Sequence, residues 1–230
     1  VGQGAKRDTQ FAQIIEIVNY QVAPYLVLAT RNGRVKKTRL DEFDSNRTGG
    51  IIAINLPDED ELVGAALISA DDDLLLVSKR AQAIRFKADD DALRPMGRAT
   101  SGVIGMRFTD GDELLSMEVV QDGMDVLVAT DGGFAKRTPI DEYPIQGRGG
   151  KGVLTAKITS RRGGLVGAVV ISPDDELFAI TSNGGVIRTP VKPVRRTRDR
   201  NTMGVKLMDL PEGVTIVAIA RNADEPEEQD

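Results

Sequence analysis

The sequence predicts an all-β fold made of repeated blades, each of about four short strands, stacked around an axis like a propeller. Three observations support this prediction. An internal repeat recurs with a period of about 50 residues. Short runs of Val, Ile and Leu are bounded by Gly, Asp, Asn and Pro, which is typical of strands separated by turns. No long helical pattern interrupts them.

The repeat begins with a strand, a tight turn and a second strand. Thr or Ser ends the first strand of each unit, at Thr30, Ser78, Thr130 and Thr181. Three of the turns contain Asn32-Gly33, Gly132-Gly133 and Asn183-Gly184. These pairs predict two-residue hairpin turns with positive φ at both central positions.

Each unit continues with a loop that ends in Gly and a β-branched residue, then an acidic turn and another apolar run. The Gly pairs are Gly50-Ile51, Gly102-Val103, Gly152-Val153 and Gly204-Val205. One such unit cannot bury both faces of its small sheet, so stacking is expected. The fourfold register disfavours the alternative of two unrelated β-sandwich domains.

The predicted boundaries give one β-domain over residues 1–222 and an acidic tail over residues 223–230. The full units span residues 23–70, 71–121, 122–172 and 173–222. Residues 1–22 are a partial unit in which residues 11–18 form the last strand of a preceding blade. We therefore expect the chain to be part of a longer protein.

Composition excludes several kinds of function. The chain has no Cys and no His, which excludes zinc fingers, thiol chemistry and His-based triads. Acidic groups such as Asp41-Glu42 lie in predicted turns without an EF-hand pattern, so we expect no metal site. No stretch is long and apolar enough to span a membrane, and we expect a cytoplasmic protein.

A glycine-rich heptapeptide in the third unit carries the strongest functional signal. Its glycines permit close approach of the backbone to a ligand, and its two cations suit an anion such as phosphate. A nucleotide-binding P-loop is excluded because Gly follows the lysine where Ser or Thr is needed, and no helix pattern follows. The alternative is a flexible connector. The residues are Gln146, Gly147, Arg148, Gly149, Gly150, Lys151 and Gly152.

This heptapeptide resembles the GyrA box, the signature of the C-terminal domain of the DNA gyrase A subunit. The usual form is Gln-Arg-Arg-Gly-Gly-Lys-Gly, matched here at six of seven positions, with Gly147 replacing a basic residue. The repeat extends the resemblance over nearly the whole chain. Two features depart from the family: the missing basic residue, and the position of the box in the third full unit instead of the first blade.

The resemblance implies a β-pinwheel, a propeller relative in which strands are exchanged between neighbouring blades. It implies a rim that wraps duplex DNA and supports ATP-dependent negative supercoiling. The implied partners are the B subunit together with the rest of the A subunit, in an A2B2 complex in the bacterial cytoplasm and nucleoid. DNA cleavage, ATP and Mg²⁺ belong to other parts of that enzyme, so we expect no cofactor here. The alternatives are the C-terminal domain of topoisomerase IV and a propeller that binds proteins.

Basic side chains recur at equivalent strand positions and predict a cationic rim that follows a curved phosphate backbone. Such contacts do not read bases, so binding should be independent of sequence and sensitive to salt. Bending 20–30 base pairs costs on the order of 1–6 kcal/mol, so several contacts are needed. For each charge alone, the alternative is a solvated surface. The predicted rim residues are Lys36, Lys37, Arg85, Lys136, Arg137 and Arg188, with Arg195 and Arg196 in a loop.

The acidic tail should compete with phosphate for these cations. Deletion of residues 224–230 is therefore expected to tighten DNA binding at low salt, where screening is weakest. The measurement is an equilibrium titration of labelled duplex with the full and shortened chains. Equal affinities at low salt would contradict a competing role for the tail.

Overall fold

The computed structural model describes residues 23–45 and 50–222, together with Ile15. Apart from Ile15, the predicted partial unit at residues 1–22, with its strand at residues 11–18, lies outside this part of the chain, and so does the acidic tail. The described residues form fifteen β-strands and two short 3-10 helices. The predicted all-β, propeller-like class is confirmed.

The strands follow one another in four similar units. The first contains β1 (Tyr25–Thr30), β2 (Arg34–Arg39) and β3 (Leu62–Ile68). The second contains β4 (Asp73–Ser78), β5 (Gln82–Lys87), β6 (Val103–Ile104) and β7 (Leu114–Val119). The third contains β8 (Asp125–Thr130), β9 (Phe134–Pro139), β10 (Val153–Leu154) and β11 (Leu165–Ile171). The fourth contains β12 (Glu176–Thr181), β13 (Val186–Pro190), β14 (Val205–Lys206) and β15 (Ile216–Asn222). The 3-10 helices, Leu40–Phe43 and Ile140–Glu142, follow β2 and β9.

Each of the first three blades is completed by a strand from the following unit. The sheet orders are β3-β1-β2-β6, β7-β4-β5-β10, β11-β8-β9-β14 and β15-β12-β13. The two-residue strands β6, β10 and β14 therefore pair antiparallel with the hairpin edge of the preceding blade. Within the described residues β13 has no such partner, and the last sheet has three strands. This exchange matches the pinwheel that the resemblance implied.

The hairpin turns differ from the prediction. Positive φ occurs at Gly33, Gly133 and Gly184 but not at the residue before each of them. The amide of each glycine donates to the carbonyl of the residue three positions earlier, as from Gly33 to Thr30 at 2.9 Å. These are three-residue loops whose last residue is left-handed, a common alternative to the two-residue turn. The second unit places Ala81 at this position, with φ 64°.

The core lies between successive blades. Alternate residues of one strand face opposite neighbours, because strand side chains alternate between the two faces of a sheet. In β4, Leu74 and Leu76 pack in the cluster shared with the first blade, whereas Leu75 and Val77 pack in the cluster shared with the third. A third cluster joins the last two blades. The inner blades are thus buried on both faces, which explains their nearly continuous apolar runs.

One carboxyl group is buried where β7 meets β11. The backbone amide of Val170 donates to Glu118 Oε2 at 3.1 Å. Burial raises the pKa of Glu118 to about 7, although this hydrogen bond and the nearby Arg221 oppose the shift. The contact between two blades therefore contains a group that titrates near neutral pH.

The raised pKa of Glu118 predicts how stability depends on pH. The folded chain keeps this proton up to about pH 7 and the unfolded chain releases it near 4.5, so the free energy of unfolding should fall as pH rises between these values. Glu118→Gln retains an oxygen acceptor for Val170 and removes the titration. Urea denaturation at pH 5 and pH 8 should show a smaller pH dependence for the variant. Equal dependence in the two proteins would exclude Glu118 as the source.

Candidate nucleic-acid interface

The glycine-rich heptapeptide, residues 146–152, forms a loop that we call the box loop. It leads from the second 3-10 helix to the exchanged strand β10 and lies against the second unit. The amide of Gly149 donates to Gly105 O at 2.6 Å, and the amide of Arg107 donates to Gly150 O at 2.9 Å. The Gly149 amide is therefore occupied within the protein. It cannot donate to an anion.

The two cations of the box loop project from this anchored backbone. Arg148 is exposed and donates from Nε to Ala92 O at 2.7 Å and from Nη1 to Ile104 O at 3.1 Å. Both partners are neutral carbonyls, so its charge is not compensated by them. Lys151 is exposed and has no hydrogen bond or ion pair with any described residue. The loop thus presents one oriented and one free cation to solvent.

The glycines of the box loop have different roles. Gly152 has φ +75°, and a Cβ there would lie 2.1 Å from Ala83 O. This glycine lets the chain pass close to β5 immediately before β10 pairs with it. Gly147 has open space around its Cα, and its φ is not in the left-handed region. The last glycine is therefore needed for the strand exchange, whereas Gly147 is free of that constraint.

Three lysines predicted to form the rim are instead enclosed by protein. Lys36, Lys37 and Lys136 are at most 1% exposed. The Lys36 ammonium donates to Ala53 O at 2.5 Å and to Arg98 O, and Lys37 pairs with Asp90 at 2.7 Å. Lys136 donates to the carbonyls of Asp199, at 3.2 Å, and Arg200. These groups satisfy internal acceptors and do not reach a rim, so the prediction for them is corrected.

Burial also lowers the pKa of two of these lysines. The pKa of both Lys36 and Lys136 falls to about 8, with smaller effects from nearby charges. Each ammonium group holds the loop of the following unit through main-chain carbonyls. The equivalent residue in the second blade is Ile84, on which Gly150 of the box loop rests; a Cβ at Gly150 would lie 3.4 Å from Ile84 Cδ1.

Two predicted rim arginines form internal ion pairs. Arg85 pairs with Asp73 at 2.8 Å, and both side chains are about nine-tenths buried. Arg137 pairs with Asp125 at 3.0 Å at the equivalent place in the next blade. Because Arg85 and Arg137 are buried, they are not exposed cations of a rim, and the prediction that they form the rim is also corrected.

The three remaining predicted cations are accessible. Arg188 pairs with Glu176 on the last blade but stays 59% exposed. Arg196 shares Asp125 with the internal pair at 3.0 Å and stays 49% exposed. Arg195 is exposed, and its side chain forms no hydrogen bond or ion pair within the described ranges. Exposed Arg94 and Lys157 were not singled out from the sequence, because neither lies in the repeated strand.

The described residues contain no cluster of three or more acidic, His or Cys side chains that could hold a metal ion. Over the same residues, none of the helices has the length and apolar character needed to cross a membrane.

Comparisons with known proteins agree on one family. The family model described as the DNA gyrase C-terminal domain, a β-propeller, matches residues 24–69, 72–121, 125–172 and 175–222. The chain is 64% identical over 218 residues to the DNA gyrase A subunit of Mycobacterium bovis, covering 95% of this chain and 26% of that protein. It is 60% identical over 222 residues to the same protein of Streptomyces coelicolor, covering 94% and 26%. The chain thus spans about a quarter of these relatives.

Solved structures show the same architecture. The C-terminal domain of a DNA topoisomerase IV superposes with a TM-score of 0.85 at 25% identity, covering 94% of this chain and 67% of that one. A C-terminal domain of DNA gyrase A superposes with a TM-score of 0.77 at 25% identity, covering 86% and 66%.

The different roles of the glycines can be tested within the box loop. Gly152→Ala should lower the stability by at least about 1–2 kcal/mol, because a left-handed alanine is strained and its Cβ would clash with Ala83 O. Gly147→Ala is the matched control and should leave the melting temperature unchanged. Thermal unfolding followed by circular dichroism measures both. Equal melting temperatures for the two variants would contradict the assignment.

Proposed function

Because the chain belongs to the family of DNA gyrase C-terminal domains, we propose that it binds, bends and chirally wraps duplex DNA within a gyrase. The observation that carries the proposal is the box loop. Its backbone is anchored on the second unit, and Arg148 and Lys151 project from it without an acidic partner among the described residues. Cations held on a rigid backbone suit a regular array of phosphates.

The proposed contact surface contains the accessible cations and omits the enclosed ones. It comprises Arg148 and Lys151 of the box loop, Arg195 and Arg196 of the fourth unit and Arg188 of the last blade. The chain has a formal net charge of −5, but screening over about 8 Å makes the local surface decisive for a bound polyanion. Phosphate contacts of this kind predict binding that is independent of sequence and weakens with salt.

This role makes the chain a binding domain within a larger enzyme. We propose that its partners are the B subunit together with the rest of the A subunit. DNA cleavage and ATP hydrolysis, with ATP and Mg²⁺, are assigned to those parts. The topoisomerase IV domain shares the fold at 25% identity, whereas the curated gyrase relatives reach 64%. The higher identity favours the gyrase role.

A linking-number experiment tests the proposal. A singly nicked plasmid is sealed by ligase in the presence of the 230-residue chain, and the topoisomers are resolved on a gel. Chiral wrapping should shift their distribution. Arg148→Ala/Lys151→Ala should reduce the shift, because the phosphates beside the box loop would no longer be held.

The matched control is Lys79→Ala/Arg39→Ala, which removes the same charge from two exposed side chains paired with Glu113 and Asp41. It should shift the topoisomers as the unaltered chain does. Absence of any shift would exclude wrapping by this chain. An equally reduced shift in both double variants would show that overall charge, not the box loop, is responsible.

A further inference from the structure

A basic groove lies between β9 and the loop of the fourth unit that precedes β14. Its volume is about 540 Å³, and it is open to solvent. Four cations line it, and no Asp or Glu does: the cations are Lys157, Arg162, Arg195 and Lys206. We call it the Lys157 groove. The fourth-unit loop that lines this groove packs on the third blade as the box loop packs on the second, because β14 and β10 are equivalent exchanged strands.

The structural repeat explains why Lys157 is available. At each of the three junctions between consecutive units, one backbone amide donates to a carbonyl in the loop of the next unit. These hydrogen bonds run from Asn55 to Thr100 O at 3.0 Å, from Arg107 to Gly150 O at 2.9 Å and from Lys157 to Thr202 O at 3.1 Å. At the first two junctions the side chain of the same residue adds a second bond.

These side-chain bonds run from Asn55 Nδ2 to Ala99 O at 2.9 Å and from Arg107 Nη1 to Gly149 O at 2.6 Å. The Lys157 side chain makes no bond to any residue that the structure describes, and it is exposed in the groove. At the third junction Lys157 therefore contributes only its backbone amide, and the Lys157 ammonium group is left for a ligand.

The other cations of the groove differ in how far they are engaged. Arg162 donates to Gly204 O and lies over the ring of Phe134, 4.7 Å from its centre. Lys206 pairs with Asp209. The Arg195 side chain has no polar partner in the described part of the chain. Lys157 and Arg195 are thus the two free charges, and the anchored Arg162 shapes the wall beside them.

Buried charge near the groove adds to its positive potential. Lys136 holds the carbonyls of Asp199 and Arg200, immediately before the lining residues of the fourth-unit loop. Burial is the main cause of the lowered pKa of Lys136; Asp199 opposes it, and Arg200 and Arg195 lower it further. The groove at the first junction, about 690 Å³, instead contains one acid, Glu42, beside one base, Arg98. The Lys157 groove therefore has an excess of positive charge that the first junction lacks.

We propose that the Lys157 groove is a second phosphate-binding site for duplex DNA, in which Lys157 and Arg195 contact the backbone. The inference rests on the proposed function and extends it. A duplex that follows the rim from the box loop would meet the equivalent loop of the next unit. Two free cations without a lining acid suit phosphates, and the open shape suits a surface duplex better than an enclosed small molecule.

The test measures binding of a short fluorescent duplex to the 230-residue chain by anisotropy over a series of salt concentrations. Lys157→Ala/Arg195→Ala should reduce the steepness of log K against log salt by about 0.9 for each phosphate that is no longer neutralised. Both side chains are exposed, and the hydrogen bond from the Lys157 amide is kept, so the melting temperature should not change. Lys79→Ala/Arg39→Ala, the charge-matched control, should keep the original slope.

The box variant Arg148→Ala/Lys151→Ala separates the two proposals. If its affinity and slope fall while the groove variant behaves like the control, the groove inference is overturned and Arg195 is removed from the contact surface, whereas the proposed function stands on the box loop. If the unaltered chain binds no duplex at low salt, both are overturned. If a poly-glutamate probe binds through Lys157 and Arg195 while duplex binding is unaffected by their removal, the groove takes an acidic protein segment and the inference is overturned.

Discussion

The exchange of a short strand between consecutive units is the constraint on which the rest of this structure depends. Each hairpin exposes an edge of unpaired amides and carbonyls, and in the first three blades the next unit covers it with two residues, as β10 covers β5. The crossing is close enough that Gly152 has no room for a Cβ beside Ala83 O. Because the strand is held, the loop before it is also placed on the preceding blade. The exchange therefore positions the box loop and its cations.

Buried lysines strengthen this placement at two of the three junctions. Lys136 donates to two main-chain carbonyls of the incoming loop, and Lys36 joins the carbonyl of Arg98 in the incoming loop to that of Ala53 in its own unit. Burying such a charge is unfavourable unless it is well hydrogen-bonded, so the carbonyls and the lysine depend on each other. The second blade has Ile84 at this position, and the box loop rests on an apolar floor there. Arg107 and Arg148 hold that loop instead, and they place cationic charge near the surface.

The distribution of charge follows from the same geometry. Of the basic residues that recur along the second strand of each hairpin, most face a neighbouring unit and are neutralised by Asp or capped by carbonyls, as Arg85 is by Asp73. The cations left for a ligand come from the connecting loops, where Lys151 and Arg195 project into solvent. An overall acidic chain can therefore carry a basic rim. The blades use most of their lysines and arginines for cohesion, and the loops provide exposed cations for the DNA contact that we propose.

The sequence by itself determined the repeat, the strand content and the family. These follow from local spacing: apolar runs, a turn after Thr30 and its equivalents, and the heptapeptide at residues 146–152. The depth of each side chain was decided only by the tertiary structure. Lys36 and Lys151 are both lysines in a basic motif. Lys36 is enclosed beneath a loop from the next unit, whereas Lys151 is exposed on the surface of the box loop. Burial depends on contacts between residues far apart in the chain, such as Lys36 with Arg98, and no local pattern encodes such a pair.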